Sequence, residues 1–119
     1  YNIPELIVKL MVRRCIRNLG LARRAGQILI GLNELQRALA QHQEGYIISA
    51  RDGGLKGRKR IAQLAGRMPI LCALTATEIG IAFGRNRVVY AFISPSGLGD
   101  GLFRDMSRLA GLRETTLAA

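Results

Sequence analysis

The stretch GQILIGLNELQRALAQH, residues 26–42, decides how the chain divides into strands and helices. The run QILI predicts a short strand, and residues 33–43 predict a helix with Leu35 and Leu39 turned inward. Asn33 is a favourable N-cap residue, Gln36 resembles the partner in a capping box, and Glu34 suits the positive end of a helix dipole. From the residues alone, helix capping is therefore the leading interpretation of Asn33 and Glu34.

The rest of the chain continues the alternation of helix and strand. Residues 4–25 predict a first helix, which Gly20 either interrupts or leaves whole and which Gly26 ends. We expect further strands and helices in the order 45–50 (strand), 58–68 (helix), 70–74 (strand), 75–84 (helix), 87–93 (strand) and 99–112 (helix), with a loop from residue 51. Thr75 and Glu78 form a capping-box pattern at the start of the 75–84 helix. This order predicts an α/β fold, a three-layer α/β/α sandwich with a mixed, mostly parallel four-stranded sheet.

The composition points to one basic domain. The 119 residues include 18 Lys and Arg against eight Asp and Glu, which gives a net charge of +10 and a pI near 11.0. Such a field attracts polyanions, of which nucleic acid is the commonest in a cell, although some membrane-surface proteins share it. No apolar run is long enough for a membrane span. Cys15 and Cys72 are expected to be reduced core thiols, which suits a cytoplasmic protein.

Signals for catalysis or a cofactor are weak. His42 is the only histidine, and the few acidic residues are scattered, so no metal, cofactor or catalytic residue is predicted. The glycines of SPSGLGDGLF follow a strand but do not match a nucleotide-binding fingerprint. Asp100 within that segment is interpreted as a helix cap. The expected function is therefore non-catalytic.

The run LKGRKR places four cations close together, at Lys56, Arg58, Lys59 and Arg60. It fits either a solvated surface or a patch that contacts phosphates, and the residues alone leave both interpretations open. Phosphate contacts of this kind would add affinity and salt dependence without sequence preference.

A family resemblance favours RNA. The segment GLNELQR, residues 31–37, resembles the Gly-x-Asn-Glu-x-x-Lys motif of the L-seven-Ae/L-thirty-e ribosomal-protein superfamily. The resemblance covers roughly residues 19–93 and is closest to bacterial members that are fused behind a YlxR-type nucleic-acid-binding domain. The segment SPSGLGDGLFRDMSRLAGL also resembles the C-terminal tail of those fusion proteins. It implies a helix or linker from an upstream domain at 1–18 and a single RNA-binding domain, expected to be monomeric, at 19–119.

What the resemblance implies is binding to a kink-turn or similar structured RNA of the ribosome or transcription machinery. Asn33 and Glu34 would face the sheared G·A pairs, Gly31 would let the backbone approach, and Arg37 would take the place of the family's Lys. A second contact would come from the loop before the last strand, where two arginines replace the family's small apolar residues. The expected contact residues in that loop are Arg85, Asn86, Arg87 and Val88.

Two other functions fit the same sequence. The chain could be the RNA-recognition domain of an RNA-modifying enzyme, since some RNA methyltransferases carry a similar small domain ahead of their catalytic one. It could also be a protein–protein adaptor that kept the fold and lost RNA binding, because a fold does not by itself determine a function.

Overall fold

The computed structural model describes residues 2–118, with side chains for residues 2–114. Tyr1 and Ala119, the outer ends of the two predicted segments, lie outside the described residues. Five helices and four strands alternate along the described chain: α1 (Ile3–Arg24), β1 (Ile28–Ile30), α2 (Leu32–Ala40), β2 (Tyr46–Ser49), α3 (Leu55–Ala65), β3 (Ile70–Leu71), α4 (Ala76–Phe83), β4 (Tyr90–Ile93) and α5 (Gly97–Ala118).

The four strands form one mixed sheet in the order β1-β4-β2-β3. The predicted α/β/α sandwich with a mixed four-stranded sheet is confirmed, but the expectation of mostly parallel pairing is not. β2 and β3 are parallel, whereas β4 runs antiparallel to both β1 and β2. The alternating order of helices and strands in the sequence indicates that consecutive strands are joined through helices packed on the sheet. This order does not indicate that the last strand, β4, lies between β1 and β2 and runs in the opposite direction.

Alternate residues of the central strands supply the two cores of the sandwich. Ile48 and Ala91 face a core covered by α1, α4 and α5. Ile47 and Phe92 face the opposite way, into a smaller core covered by α2 and α3. The helices therefore divide between the faces, and α2 and α3 lie side by side on one of them.

The first helix is continuous through Gly20, so the alternative of two helices is wrong. A Cβ at Gly20 would lie 3.5 Å from the carbonyl oxygen of Ala82, in ordinary contact, because α1 packs closely against α4. The buried positions are Val12, Cys15, Leu19 and Ala22, while Leu6 and Leu10 are exposed. The predicted boundary between residues 18 and 19 falls inside this helix, and an upstream domain remains a prediction.

The first turn of α4 is closed by its own side chains. The Thr75 hydroxyl accepts a hydrogen bond from the Glu78 N–H, and the Glu78 carboxylate accepts one from the Thr75 N–H, which confirms the predicted capping box. Asp52 adds a third bond by accepting from the Ala76 N–H at 2.9 Å. Arg113 of α5 then holds Glu78 with two hydrogen bonds of 2.7 Å.

Two smaller expectations meet different outcomes. Asp100 does not cap the last helix: it accepts a hydrogen bond from the Tyr46 hydroxyl, while Ser96 accepts from the Gly99 N–H at the start of α5. Cys15 and Cys72 are both free thiols, with Cys15 fully buried and Cys72 partly so. Burial raises the pKa of the Cys15 thiol to about 11, which keeps it protonated. Across the described chain, none of the helices is long and apolar enough to cross a membrane.

Candidate nucleic-acid interface

The N-cap of α2 is Gly31, so the expectation that Asn33 caps this helix is wrong. Gly31 has φ 104° and ψ 163°, a conformation that is essentially restricted to glycine. Its N–H donates to the carbonyl of Tyr90 at 2.8 Å, which ties the turn to β4 and begins the helix one residue later. Asn33 and Glu34 are thereby placed inside the first turn, where their side chains extend from the helix instead of closing it.

No side chain in the described part of the chain caps the first turn of α2. The backbone N–H groups of Leu32, Asn33 and Glu34 therefore remain open donors at the positive end of the helix dipole. Asn33 is exposed, and its amide has no hydrogen-bond partner among the described residues. Glu34 makes only an exposed ion pair with Arg37, at 3.5 Å, of a kind that contributes little stability.

The loop between α4 and β4 stands opposite this helix start. Gly84 ends α4, and the Arg85 N–H then donates to the carbonyl of Gly80 at 2.8 Å. A Cβ at Gly80 would lie 2.5 Å from the Arg85 carbonyl oxygen, so the loop can fold back this closely only over a glycine. The Val88 N–H completes the attachment by donating to Ala76 at 3.0 Å. With its backbone held down, the loop leaves the Arg85 and Arg87 side chains exposed.

The two regions enclose a cleft of about 410 Å³. Its walls are Gly31 and Leu32 on one side and Arg85, Arg87 and Val88 on the other. The cleft thus brings together four predicted site residues from two distant parts of the sequence. These are Gly31 from the start of α2 and Arg85, Arg87 and Val88 from the loop before β4. The predicted residues Asn33, Glu34 and Arg37 lie along the adjoining turns of α2, and Asn86 is exposed in the loop without lining the cleft.

The basic run LKGRKR is helical, because α3 begins at Leu55 and not at residue 58. Each helical residue is rotated about 100° from the last, so the helix divides the run between two faces. Lys56 and Lys59 line a groove of about 590 Å³ beside Leu32. Arg58 lines a different hollow of about 290 Å³, with Ile70 and Cys72 near β3. Lys59 lines both spaces, so Arg58 faces the hollow and Lys56 and Arg60 face the groove, with Lys59 between them.

The floor of the cleft contains residues that carry no signal in the sequence. Gly54 and Gly57 of the α3 region and Tyr90 of β4 line it. A Cβ at Gly57 would lie 2.7 Å from the Tyr90 hydroxyl, so this glycine lets α3 approach the sheet. Glycines inside a basic run and a tyrosine at the start of a strand have no pattern in common, and only their meeting in space shows their role.

Charge at the interface is uncompensated. Five cations, Lys56, Lys59, Arg60, Arg85 and Arg87, line the cleft and the neighbouring groove. None of them has a carboxylate partner among the described residues, and neither lining includes an acidic residue. No set of three or more His, Cys, Asp or Glu in the described part of the chain is arranged to hold a metal ion. The arrangement suits a polyanionic ligand.

Two solved structures share this architecture. A protein with unknown function from Bacillus halodurans C superposes with a TM-score of 0.72 at 24% sequence identity, over 78% of this chain and 96% of that one. The Giardia lamblia 15.5kD RNA binding protein superposes with a TM-score of 0.63 at 14% identity, over 88% of this chain and 89% of that one. The chain has the fold of these two proteins. Neither a scan of protein-family models nor a search of curated proteins found a match.

Proposed function

We propose that this protein binds structured RNA through the cleft between the start of α2 and the loop before β4. The observation that carries the proposal is the open first turn of α2, which faces Arg85 and Arg87 across the cleft. The cleft has a volume of about 410 Å³. Open backbone donors and unpaired arginines both favour phosphate. The net charge of +10 and the similarity in fold to the Giardia RNA binding protein support the same class of ligand.

Beside this cleft, in the first turn of α2, Asn33 and Glu34 are proposed to contact base edges. The Asn33 amide supplies both a donor and an acceptor, and it is exposed without a partner in the described part of the protein. The Glu34 carboxylate can accept from guanine N–H groups, since its exposed pair with Arg37 is weak enough to open. These are the groups that a stem with unmatched guanine edges requires, so a bent stem with sheared G·A pairs, as in a kink-turn, is the proposed target.

Arg85 and Arg87 are proposed to contact phosphates at the opposite wall. Their side chains are exposed, while the loop that carries them is held by two backbone hydrogen bonds to α4. Arginine forms bidentate bonds to phosphate, so these contacts would position the RNA without specifying its sequence. The sequence preference then rests on Asn33 and Glu34, and the affinity and salt dependence rest largely on the loop.

Binding measurements with paired variants test the base contacts. Asn33→Ala should weaken binding to a kink-turn stem by about 1–3 kcal/mol, or roughly 5- to 150-fold, because one bidentate base contact is lost. Asn18→Ala, on α1 across the sheet, is the matched control and should bind as the wild type does. Glu34→Gln should also lose affinity, whereas the exposed Glu44→Gln should not.

The comparison of RNAs decides between specific and general binding. Filter binding should rank a kink-turn stem above a plain duplex and above a single strand of the same length. Equal affinities for the three RNAs, unchanged by Asn33→Ala, would overturn the proposal of structured-RNA recognition. Arg87→Ala should instead weaken all three RNAs and flatten the dependence of log K on log salt by about one.

We further propose that the protein binds RNA without reacting on it, as a cytoplasmic monomer in a ribosomal or transcriptional setting. Light scattering of the free and RNA-bound protein at the same concentration tests the monomer directly, and a mass of two chains would contradict it. Nucleic acid that copurifies with the protein and is released by salt would support RNA as the partner over another protein.

A further inference from the structure

A second groove beside the cleft is formed by one face of α3 and the start of α2. Lys56 lies three and four residues before Lys59 and Arg60, and Gln63 lies four and three residues after them, so the four share a face of α3. That face stands beside the exposed side chain of Leu32 and encloses about 590 Å³. The groove has polar and cationic groups on one wall and an apolar residue on the other.

The groove is continuous with the cleft. Leu32 and Gly57 line both spaces, so no wall separates them. Arg85 and Arg87 lie at the cleft end, and Lys56, Lys59 and Arg60 lie at the groove end. A chain of phosphates entering at one end would meet cations along its whole course, none of which has a carboxylate partner among the described residues.

The shape of the groove favours a single strand. The groove is an open depression of about 590 Å³ between two neighbouring helices, too small to hold an A-form duplex, which is a wide body that presents a shallow minor groove to a protein surface. Single strands bind in positively charged grooves that track the backbone, and their bases pack on an exposed apolar side-chain surface, most often an aromatic one. Leu32, exposed over 42% of its surface, provides such a surface at the junction of the two spaces.

We infer that a single-stranded extension of the bound RNA leaves the cleft past Leu32 and lies in the groove against Lys56, Lys59 and Arg60. This inference rests on the proposed function, because the stem in the cleft fixes where the extension begins. It assigns the protein a composite target, a structured stem followed by unpaired nucleotides. The stem supplies specificity, and the extension supplies additional phosphate contacts.

The test compares a blunt kink-turn stem with the same stem carrying a tail of about six uridines on either strand, and with the tail alone. One of the two tails should raise the affinity by about tenfold at moderate salt. The same tail should steepen the dependence of log K on log salt by about two, since about 0.7 is added per neutralised phosphate of a single strand. Equal affinities for the blunt stem and both tailed stems would overturn the inference.

Two double variants with the same charge change locate the tail. Lys56→Ala/Lys59→Ala should abolish the gain from the tail, whereas Arg17→Ala/Arg108→Ala, on α1 and α5 across the sheet, should keep it. On the blunt stem the groove variant should lose more affinity than the remote one, because its two cations lie nearer the cleft, so the gain from the tail is measured as the ratio of tailed to blunt affinity within each variant. A tail gain that survives in the groove variant would place the single strand elsewhere and overturn the inference.

The outcomes separate the two proposals. If the blunt stem binds no better than a plain duplex, the proposed function fails, and the difference between the double variants on the tailed stem and on the tail alone still decides the groove. If the stem is specific but the tail adds nothing, only the inference fails. If the tail adds nothing while an acidic peptide binds the wild type and loses its binding in the groove variant, the groove is a protein-docking surface and the inference is overturned.

Discussion

The starts of α2 and α4 differ in whether side chains of the protein accept hydrogen bonds from the first backbone N–H groups of the helix. Each helix leaves its first backbone N–H groups without intrahelical partners. At α4, Thr75 and Asp52 accept from these groups, and Glu78 secures the cap residue itself. At α2, Gly31 contributes no side chain, and neither Asn33 nor Glu34 accepts a hydrogen bond from the first turn in the described part of the chain. One helix start is satisfied by the protein, and the other is left open.

The difference separates polar groups that are engaged inside the protein from polar groups that are open to solvent. Around α4 the carboxylates of Asp52 and Glu78 are both engaged, and Arg113 joins Glu78 to the carbonyl of Ala73. Among the described residues at the start of α2, the one polar side-chain pair is the exposed pair between Glu34 and Arg37. A polar group engaged inside the protein should affect stability when it is removed, and an open one should affect binding.

Breaking the Arg113–Glu78 pair should have the largest effect on stability. The two side chains are only 12% and 20% exposed, so Arg113→Leu leaves a poorly solvated carboxylate. We expect a loss of about 3 kcal/mol in the free energy of unfolding, measured in urea. Arg108→Leu, exposed on the same helix, should change it by less than about 0.5 kcal/mol. Equal stability of the two variants would contradict the structural role of the pair.

Gly31→Ala should have the next largest effect. A φ of 104° is unfavourable for any residue with a Cβ, so the change should cost about 2 kcal/mol of stability or shift the turn. Chemical denaturation measures the first outcome. Because no atom outside the neighbouring residues lies within 4 Å of the added Cβ, steric crowding cannot account for the loss. Gly97→Ala, also without nearby atoms but with an ordinary φ, is the control and should retain full stability.

The contrast between the two helix starts is sharpest in a pair of milder variants. Thr75→Ala removes a cap and should cost about 1 kcal/mol of stability without changing RNA affinity. Asn33→Ala should keep the stability within about 0.5 kcal/mol while lowering RNA affinity. Thermal melts and filter binding on both variants measure the two quantities. If Asn33→Ala destabilises the protein as much as Thr75→Ala does, the two helix starts are not functionally different.

Acid should weaken the hydrogen bonds that join Thr75, Glu78 and Arg113 at the start of α4. This should be the smallest of the effects on the free energy of unfolding. Burial raises the pKa of Glu78, but hydrogen bonds from Arg113 and from the Thr75 backbone outweigh it and leave the pKa below its usual value. Its stabilising contribution is therefore complete above the usual carboxyl pKa and is lost as the pH falls through the lowered one. The stability difference between wild type and Glu78→Gln should shrink on acidification, and a difference independent of pH would contradict this assignment.

Local patterns predicted the alternating elements and the capping box of α4 because those signals lie within a few residues of each other. The start of α2 was misplaced because Asn33 has a high capping propensity, yet the hydrogen bond from Gly31 to Tyr90 begins the helix earlier. For α3, the glycines Gly53, Gly54 and Gly57 indicate a loop, so the sequence predicts a helix only from residue 58. In the structure the helix begins at Leu55, and Gly57 packs within it against Tyr90. In both places tertiary contacts overrode local propensity.

The family resemblance, and not composition or periodicity, indicated the candidate residues Gly31, Arg85, Arg87 and Val88 that line the cleft. The sequence by itself determined the basic charge and the order of helices and strands. These depend on composition and on short-range periodicity, which the chain carries locally. Only the tertiary structure decided that β4 enters between β1 and β2, which brings Arg85 and Arg87 opposite Gly31. It also divided the basic run between two faces of α3. Both outcomes depend on contacts between residues far apart in the chain, and no local pattern encodes these.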